Sequence, residues 1–168
     1  MPVSGWRRRA AVCGALLLLS ASVLAQPESS RVFGAWTVRC VTPGDAPRSC
    51  VMLQNLVLKT GGQPVLQFAI AQPPGEDVAS VLVSLPLGIS LPPGISIRID
   101  DGAVATFPVE RCEPDGCRAA MKLRPSTLAQ LSAGKALTIT FSDGSRKPIK
   151  VPLSLAGFAD AFKALHSE

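Results

Sequence analysis

The chain has 168 residues, 17 Lys and Arg, 12 Asp and Glu, and a formal net charge of +5. This length is sufficient for one domain with a hydrophobic core. Three of the basic residues are the arginines at positions 7–9, and beyond residue 25 the balance falls to 14 basic against 12 acidic residues. The remaining charges are scattered along the chain, which argues against a nucleic-acid-binding protein.

Residues 1–25 have the pattern of a secretory signal peptide. The arginines are followed by a short apolar run with four consecutive leucines, and Val23-Leu24-Ala25 resembles a signal-peptidase site. The apolar run is shorter than the ~20 residues that a membrane-spanning helix needs. The sequence therefore predicts cleavage near Ala25–Gln26, export to the periplasm, cell envelope or exterior, no membrane span after cleavage, and a single domain at 26–168.

The central part of the chain has the alternating pattern of half-buried strands. Short runs of alternating apolar and polar residues are separated by Gly, Pro, Asn, Asp or Ser, which favour turns. About eight such runs predict an antiparallel sandwich or barrel. The runs lie at 36–40, 51–59, 65–71, 78–85, 95–100, 118–123, 136–141 and 149–153.

Two segments near the C-terminus have helical spacing instead. Residues 125–134 begin with proline and end with glycine, as short helices often do. Residues 157–165 place Phe158, Ala161, Phe162 and Leu165 on one helical face. We expect this phenylalanine stripe to pack on its own domain.

Four cysteines follow the leader: Cys40, Cys50, Cys112 and Cys117. An even number in an exported chain indicates two disulfides. Three pairings are possible, and closeness in sequence around turn residues favours Cys40–Cys50 and Cys112–Cys117. Zinc binding is disfavoured because the only histidine is His166. A redox role for Cys112 and Cys117 stays open, although their C-x4-C spacing differs from that of C-x-x-C couples.

Reactive side chains are few. A Ser–His–acid triad would have to use His166, the third residue from the end of the sequence. The carboxylate pairs Glu76-Asp77 and Asp100-Asp101 lie beside turn glycines, and neighbouring residues of a strand point to opposite faces. Phosphate-loop, dinucleotide and metalloprotease motifs are absent from the sequence. We therefore expect no enzymatic activity, no catalytic residues, no cofactor and no metal.

The order of motifs resembles that of the invasion-associated locus B (IalB) family of exported Gram-negative bacterial proteins. The resemblance rests on "FGAWTVRC", "CVMLQ", "LVSLPLGISLPPGISIRIDDG", "FPVERCEPDGCRA" and "LSLAGFADAFKAL", which together span most of the chain after the leader. It implies a mainly β fold, an immunoglobulin-like antiparallel β-sandwich with one or two short helices, stapled by disulfides. It also implies location in the periplasm or envelope and an association with host-cell invasion. The four cysteines match the family's cysteine positions, and no catalytic residues carry over.

Three functions compete at this point. The leading hypothesis is a non-enzymatic binding module whose partner is a protein of the envelope or of a host cell surface. The first alternative is a chaperone-like protein that pairs an exposed strand edge with unfolded clients. The second is a thiol–disulfide protein that uses Cys112 and Cys117.

Overall fold

The computed structural model describes residues 29–42, 44–57, 62, 64–73 and 75–167. The predicted leader and its cleavage site lie outside these residues. Within them the chain forms twelve strands and two helices. These are β1 (Ser29–Phe33), β2 (Trp36–Val41), β3 (Ser49–Val57), β4 (Pro64–Ala71), β5 (Ser80–Leu85), β6 (Ile89–Ser90), β7 (Ile95–Ile99), β8 (Val104–Phe107), β9 (Arg111–Glu113), β10 (Gly116–Lys122), α1 (Pro125–Ala133), β11 (Ala136–Asp143), β12 (Pro148–Ser154) and α2 (Phe158–Ala164).

The strands form two open antiparallel sheets. The larger has the order β1-β2-β3-β4-β5-β10-β9, and the smaller has the order β12-β11-β7-β8, with β6 added beside β11. The inward residues of both sheets belong to one hydrophobic core. The prediction of a mainly β, disulfide-stapled sandwich with two short helices is confirmed.

Each of the eight predicted runs contains a strand, with residues 58 and 59 of one run lying outside the described residues, but four further strands were missed. β6, β8 and β9 have two, four and three residues, too few to show alternation. β1 has five residues of which the first four are exposed, so its sequence carries no apolar face. These short or exposed strands are held by pairing with neighbours rather than by burial, and pairing is not visible in a local pattern.

Trp36 is among the largest fully buried side chains of the core. Its ring makes edge-to-face contacts with Phe68 on β4 and with Phe158 on α2, with ring centroids 6.0 and 5.1 Å apart. Phe158 in turn stacks on Phe162. The phenylalanine stripe of α2 therefore packs on its own domain, as predicted.

The β1–β2 turn and the start of α2 meet backbone to backbone. The amide of Ala35 donates a hydrogen bond to the carbonyl oxygen of Ala156 at 3.0 Å. Gly157 has φ of +83°, and a Cβ added there would overlap the carbonyl oxygen of Phe33. This close approach requires glycine for both its conformation and its lack of a side chain.

We expect Gly157→Ala to lower the free energy of unfolding by about 2 kcal/mol. The left-handed conformation alone costs a non-glycine residue about 1–2 kcal/mol, and the new methyl group must also push the turn away from α2. Gly44→Ala is the matched control, because Gly44 has φ of +54° but open space around its Cα. Urea denaturation should show a larger loss for Gly157→Ala than for Gly44→Ala. Equal losses would contradict the packing role of Gly157.

Candidate binding surface

The four cysteines form two cross-strand disulfides, Cys40–Cys50 between β2 and β3 and Cys112–Cys117 between β9 and β10. This is the pairing that closeness in sequence favoured. In each bridge the two residues are direct partners across the ladder, with Cα atoms 4.1 and 3.9 Å apart. Cys40 and Cys117 are buried, whereas Cys112 is exposed on the edge strand β9.

Three of the other residues considered for chemistry, Glu76, Asp100 and His166, have structural partners, whereas no hydrogen bond or ion pair is found for the side chains of Asp77 and Asp101 among the described residues. Asp100 accepts hydrogen bonds from the backbone amides of Lys135 and Ala136, at the start of β11. Glu76 forms an ion pair with Lys122 across 3.0 Å. His166 follows α2, where its ring nitrogens lie 3.3 Å from the carbonyl oxygen of Phe162 and 3.1 Å from the side-chain oxygen of Gln72.

The described ranges of the chain contain no group of three or more His, Cys, Asp or Glu side chains placed to hold a metal ion. None of the helices described there is long and apolar enough to cross a membrane.

An open groove of about 770 Å³ lies at one end of the seven-stranded sheet. We call it the end groove. Four strand ends meet there, because the antiparallel order brings the C-terminal ends of β3 and β5 beside the N-terminal ends of β4 and β10. The loop after β5 and the β9–β10 turn complete its walls. Its lining includes Asn55, Val57, Pro64, Val65, Gln67, Leu82, Ser84, Pro86, Leu87, Pro114, Asp115 and Arg118.

A row of polar side chains crosses the floor of the end groove. Asn55, Gln67, Ser84 and Arg118 are successive partners across four strands, so their side chains share the outer face of the sheet. The amide of Gln67 donates a hydrogen bond to the side-chain oxygen of Asn55 at 2.8 Å. These amide, hydroxyl and guanidinium groups are able to donate and accept hydrogen bonds at the surface of the groove.

One wall of the end groove is built by the disulfide-closed turn. The Cys112–Cys117 bridge closes the turn that carries Pro114 and Asp115. Asp115 then forms an ion pair with Arg118 at 2.6 Å, which ties the turn to the polar floor. The next residue, Gly116, packs so closely on β5 that an added Cβ would lie 2.5 Å from the carbonyl oxygen of Leu85. The bridge and this contact hold the wall in place.

Exposed apolar side chains border the polar floor. Val57, Leu82 and Leu87 are 57%, 38% and 55% exposed, and all three line the end groove. Isolated exposed apolar residues are common, but several around one concave surface are typical of a binding site. No sequence motif predicted this groove, although Leu82 is a local signal for it, because Leu82 is an apolar residue on the outward side of an alternating strand.

The fold and this surface define the class: a disulfide-clamped β-sandwich with an open groove at one end of its larger sheet. Residues 36–166 match the family model described as "Invasion associated locus B (IalB) protein". The chain belongs to this family, which the resemblance of its motifs predicted.

Relatives and a solved structure agree with this assignment. The chain is 32% identical over 133 residues to invasion protein B homologs from two strains of Brucella abortus, covering 79% of this chain and 76% of each relative. The crystal structure of invasion associated protein B from Bartonella henselae has a TM-score of 0.72 at 23% identity, covering 82% of this chain and 94% of that one. At this identity the structural match supports the fold.

Proposed function

We propose that this protein is an exported, non-enzymatic member of the invasion-associated family that binds a segment of another protein in the end groove. The partner belongs to the bacterial envelope or to the surface of a host cell. The observation that carries the proposal is the combination of a polar floor with three exposed apolar side chains in one groove. Protein-binding surfaces commonly join an apolar contact area to satisfied hydrogen-bonding groups at its edge.

Two features support export. The first is the basic and apolar pattern of residues 1–25, which has the order of a cleavable leader. The second is the pair of disulfides, since disulfides persist in oxidising compartments outside the cytoplasm.

In this proposal the Cys112–Cys117 bridge contributes to binding as well as to stability. The bridge holds the wall that carries Pro114 and Asp115, so the bound segment meets a preformed surface. A surface that is already ordered loses less conformational entropy on binding, which favours affinity.

We expect Leu87→Lys to lower partner capture strongly and Leu91→Lys to leave it unchanged. Leu87 precedes β6 and Leu91 follows it, and the two are 55% and 46% exposed, but of this pair only Leu87 is part of the groove lining. A lysine at the groove would place a charge where the partner buries apolar surface, which costs well over 1 kcal/mol and lowers capture by about tenfold or more.

The measurement is affinity capture under oxidising conditions from envelope fractions and from labelled host-cell surfaces, quantified by mass spectrometry. The informative proteins are those recovered equally by wild type and Leu91→Lys but depleted with Leu87→Lys. Equal recovery by all three baits, or recovery no higher than with empty resin, would refute binding in the end groove.

A further inference from the structure

The outer edge of β1 lies apart from the end groove, at the opposite side of the same sheet from β10. β1 is the last strand of the seven-stranded sheet, and no described strand pairs with its outer side. We propose that this edge accepts an extended segment of another protein as an added antiparallel strand, with an acidic residue of that segment beside Arg31. This interaction goes beyond the proposed function of the groove.

The direction of the β1 backbone follows from the neighbouring disulfide. Cys40 and Cys50 are direct partners, and their Cα atoms are 4.1 Å apart. In an antiparallel ladder, partners that exchange no backbone hydrogen bonds lie about 4.5 Å apart, whereas hydrogen-bonded partners lie about 5.5 Å apart. The backbone N–H and C=O of Cys40 therefore point away from β3 and toward β1, where its partner is Ser29.

The free backbone groups of β1 belong to Ser30 and Val32. Backbone direction alternates along a strand, so Ser29, Arg31 and Phe33 bond to β2, and the two residues between them point their N–H and C=O outward. Four hydrogen-bonding groups are thus available to an added strand. Extended peptides bind sheet edges by pairing with such groups.

The other sheet edges are protected against strand addition. β12 carries Pro148, Lys150 and Pro152, and prolines and lysines on an edge prevent pairing with another chain. β9 and β8 have only three and four residues. β1 has five residues and no proline, and its Val32 side chain is 73% exposed.

An added strand would extend a row of side chains on the outer face of the sheet that is apolar except for Thr37. Val32 stands at the end of a line of registered partners, so an apolar residue beside it would continue that line onto the new strand. The line runs through Thr37, Leu53, Ala69, Leu82 and Ala120.

The positive charge of Arg31 favours a partner segment that carries an acidic residue. Arg31 is exposed, its guanidinium lies 5.0 Å from the centre of the Phe33 ring, and it belongs to none of the ion pairs found among the described residues. An acidic residue beside it would supply the complementary charge. A second copy of β1 has no acidic residue, and a five-residue edge buries far less than the roughly 1,000 Å² of a stable dimer. The occupant is therefore a segment of a different protein.

The probe is a fluorescein-labelled peptide of sequence Thr-Thr-Ile-Val-Glu-Thr-Thr, whose valine would pair with Val32 and whose glutamate would lie beside Arg31. The control peptide has lysine in place of glutamate. Binding to the disulfide-intact protein is measured by fluorescence anisotropy. Wild type should prefer the glutamate peptide, and Arg31→Glu should prefer the lysine peptide.

Two variants at one position separate the backbone from the side chain. Val32→Pro removes the outward N–H but none of the bonds to β2, and prolines are tolerated where the N–H of an edge strand faces solvent. It should weaken peptide binding by about tenfold, because the added strand loses one backbone hydrogen bond. Val32→Thr keeps the N–H and the branched shape and should bind like wild type.

The proposal is overturned if Val32→Pro binds the peptide as wild type does, or if Arg31→Glu keeps the wild-type preference. It is also overturned if sedimentation shows a dimer that Val32→Pro dissociates, since a second copy would then occupy the edge. If Val32→Pro does not unfold cooperatively and so is not folded, the peptide preference of Arg31→Glu tests the proposal instead. Leu87→Lys should retain peptide binding, because the peptide binds β1 and not the end groove. A negative result for one proposal is therefore distinguishable from a negative result for the other.

Discussion

Replacing Trp36 with alanine should lower the free energy of unfolding by about 3–5 kcal/mol, the usual cost of truncating a large buried aromatic residue. Trp36 is fully buried, and its ring touches both Phe68 of β4 and Phe158 of α2. The substitution therefore leaves a cavity where the sheet and α2 meet. Since ordinary domains are stable by about 5–15 kcal/mol, the loss is a large share of the total.

Trp36→Phe is the control that separates ring packing from polarity. Among the described residues, the buried indole N–H of Trp36 has no hydrogen-bond partner. Phenylalanine keeps an aromatic ring and removes this N–H, whose burial without a partner costs about 1–3 kcal/mol. We therefore expect Trp36→Phe to be clearly less destabilising than Trp36→Ala. Urea denaturation followed by far-ultraviolet circular dichroism measures both variants, and equal losses would show that ring contacts are not what Trp36 contributes.

Removing the Cys40–Cys50 bridge should lower the free energy of unfolding by about 3 kcal/mol, and removing Cys112–Cys117 by about 2 kcal/mol. A disulfide reduces the conformational freedom of the unfolded chain, and the reduction grows with the length of the closed loop. The bridged residues are 10 positions apart in the first pair and 5 in the second. Double alanine variants of each pair, unfolded in urea, measure the two losses, and the reverse order would contradict loop length as the cause.

The variant that loses less stability, the one without Cys112–Cys117, should lose more partner capture. Only the Cys112–Cys117 bridge closes the turn whose Pro114 and Asp115 line the end groove. We expect capture to fall when this bridge is removed and to persist without Cys40–Cys50, although the latter variant is the less stable of the two. Loss of capture in proportion to stability would mean that the turn has no specific part in the groove.

Local patterns in the sequence predicted much of the fold. The alternation of Ile95 and Ile97 with Ser96 and Arg98 correctly placed the isoleucines in the core, because successive side chains of a strand point to opposite faces. Helix α1 begins at Pro125 and is followed by Gly134, as its sequence predicted. The cysteine pairing followed from closeness in sequence, because each pair lies on one hairpin.

The candidate surfaces depended on contacts between distant parts of the chain. The end groove exists because β10 pairs with β5 after four intervening strands, which brings Arg118 beside Ser84. The free edge of β1 exists because no described strand follows it in the sheet. The residues of one strand determine which side chains face inward, through the geometry of the extended chain. They do not determine which strands become neighbours, because strand order is set by the joint burial of both sheets around Trp36 and the rest of the core.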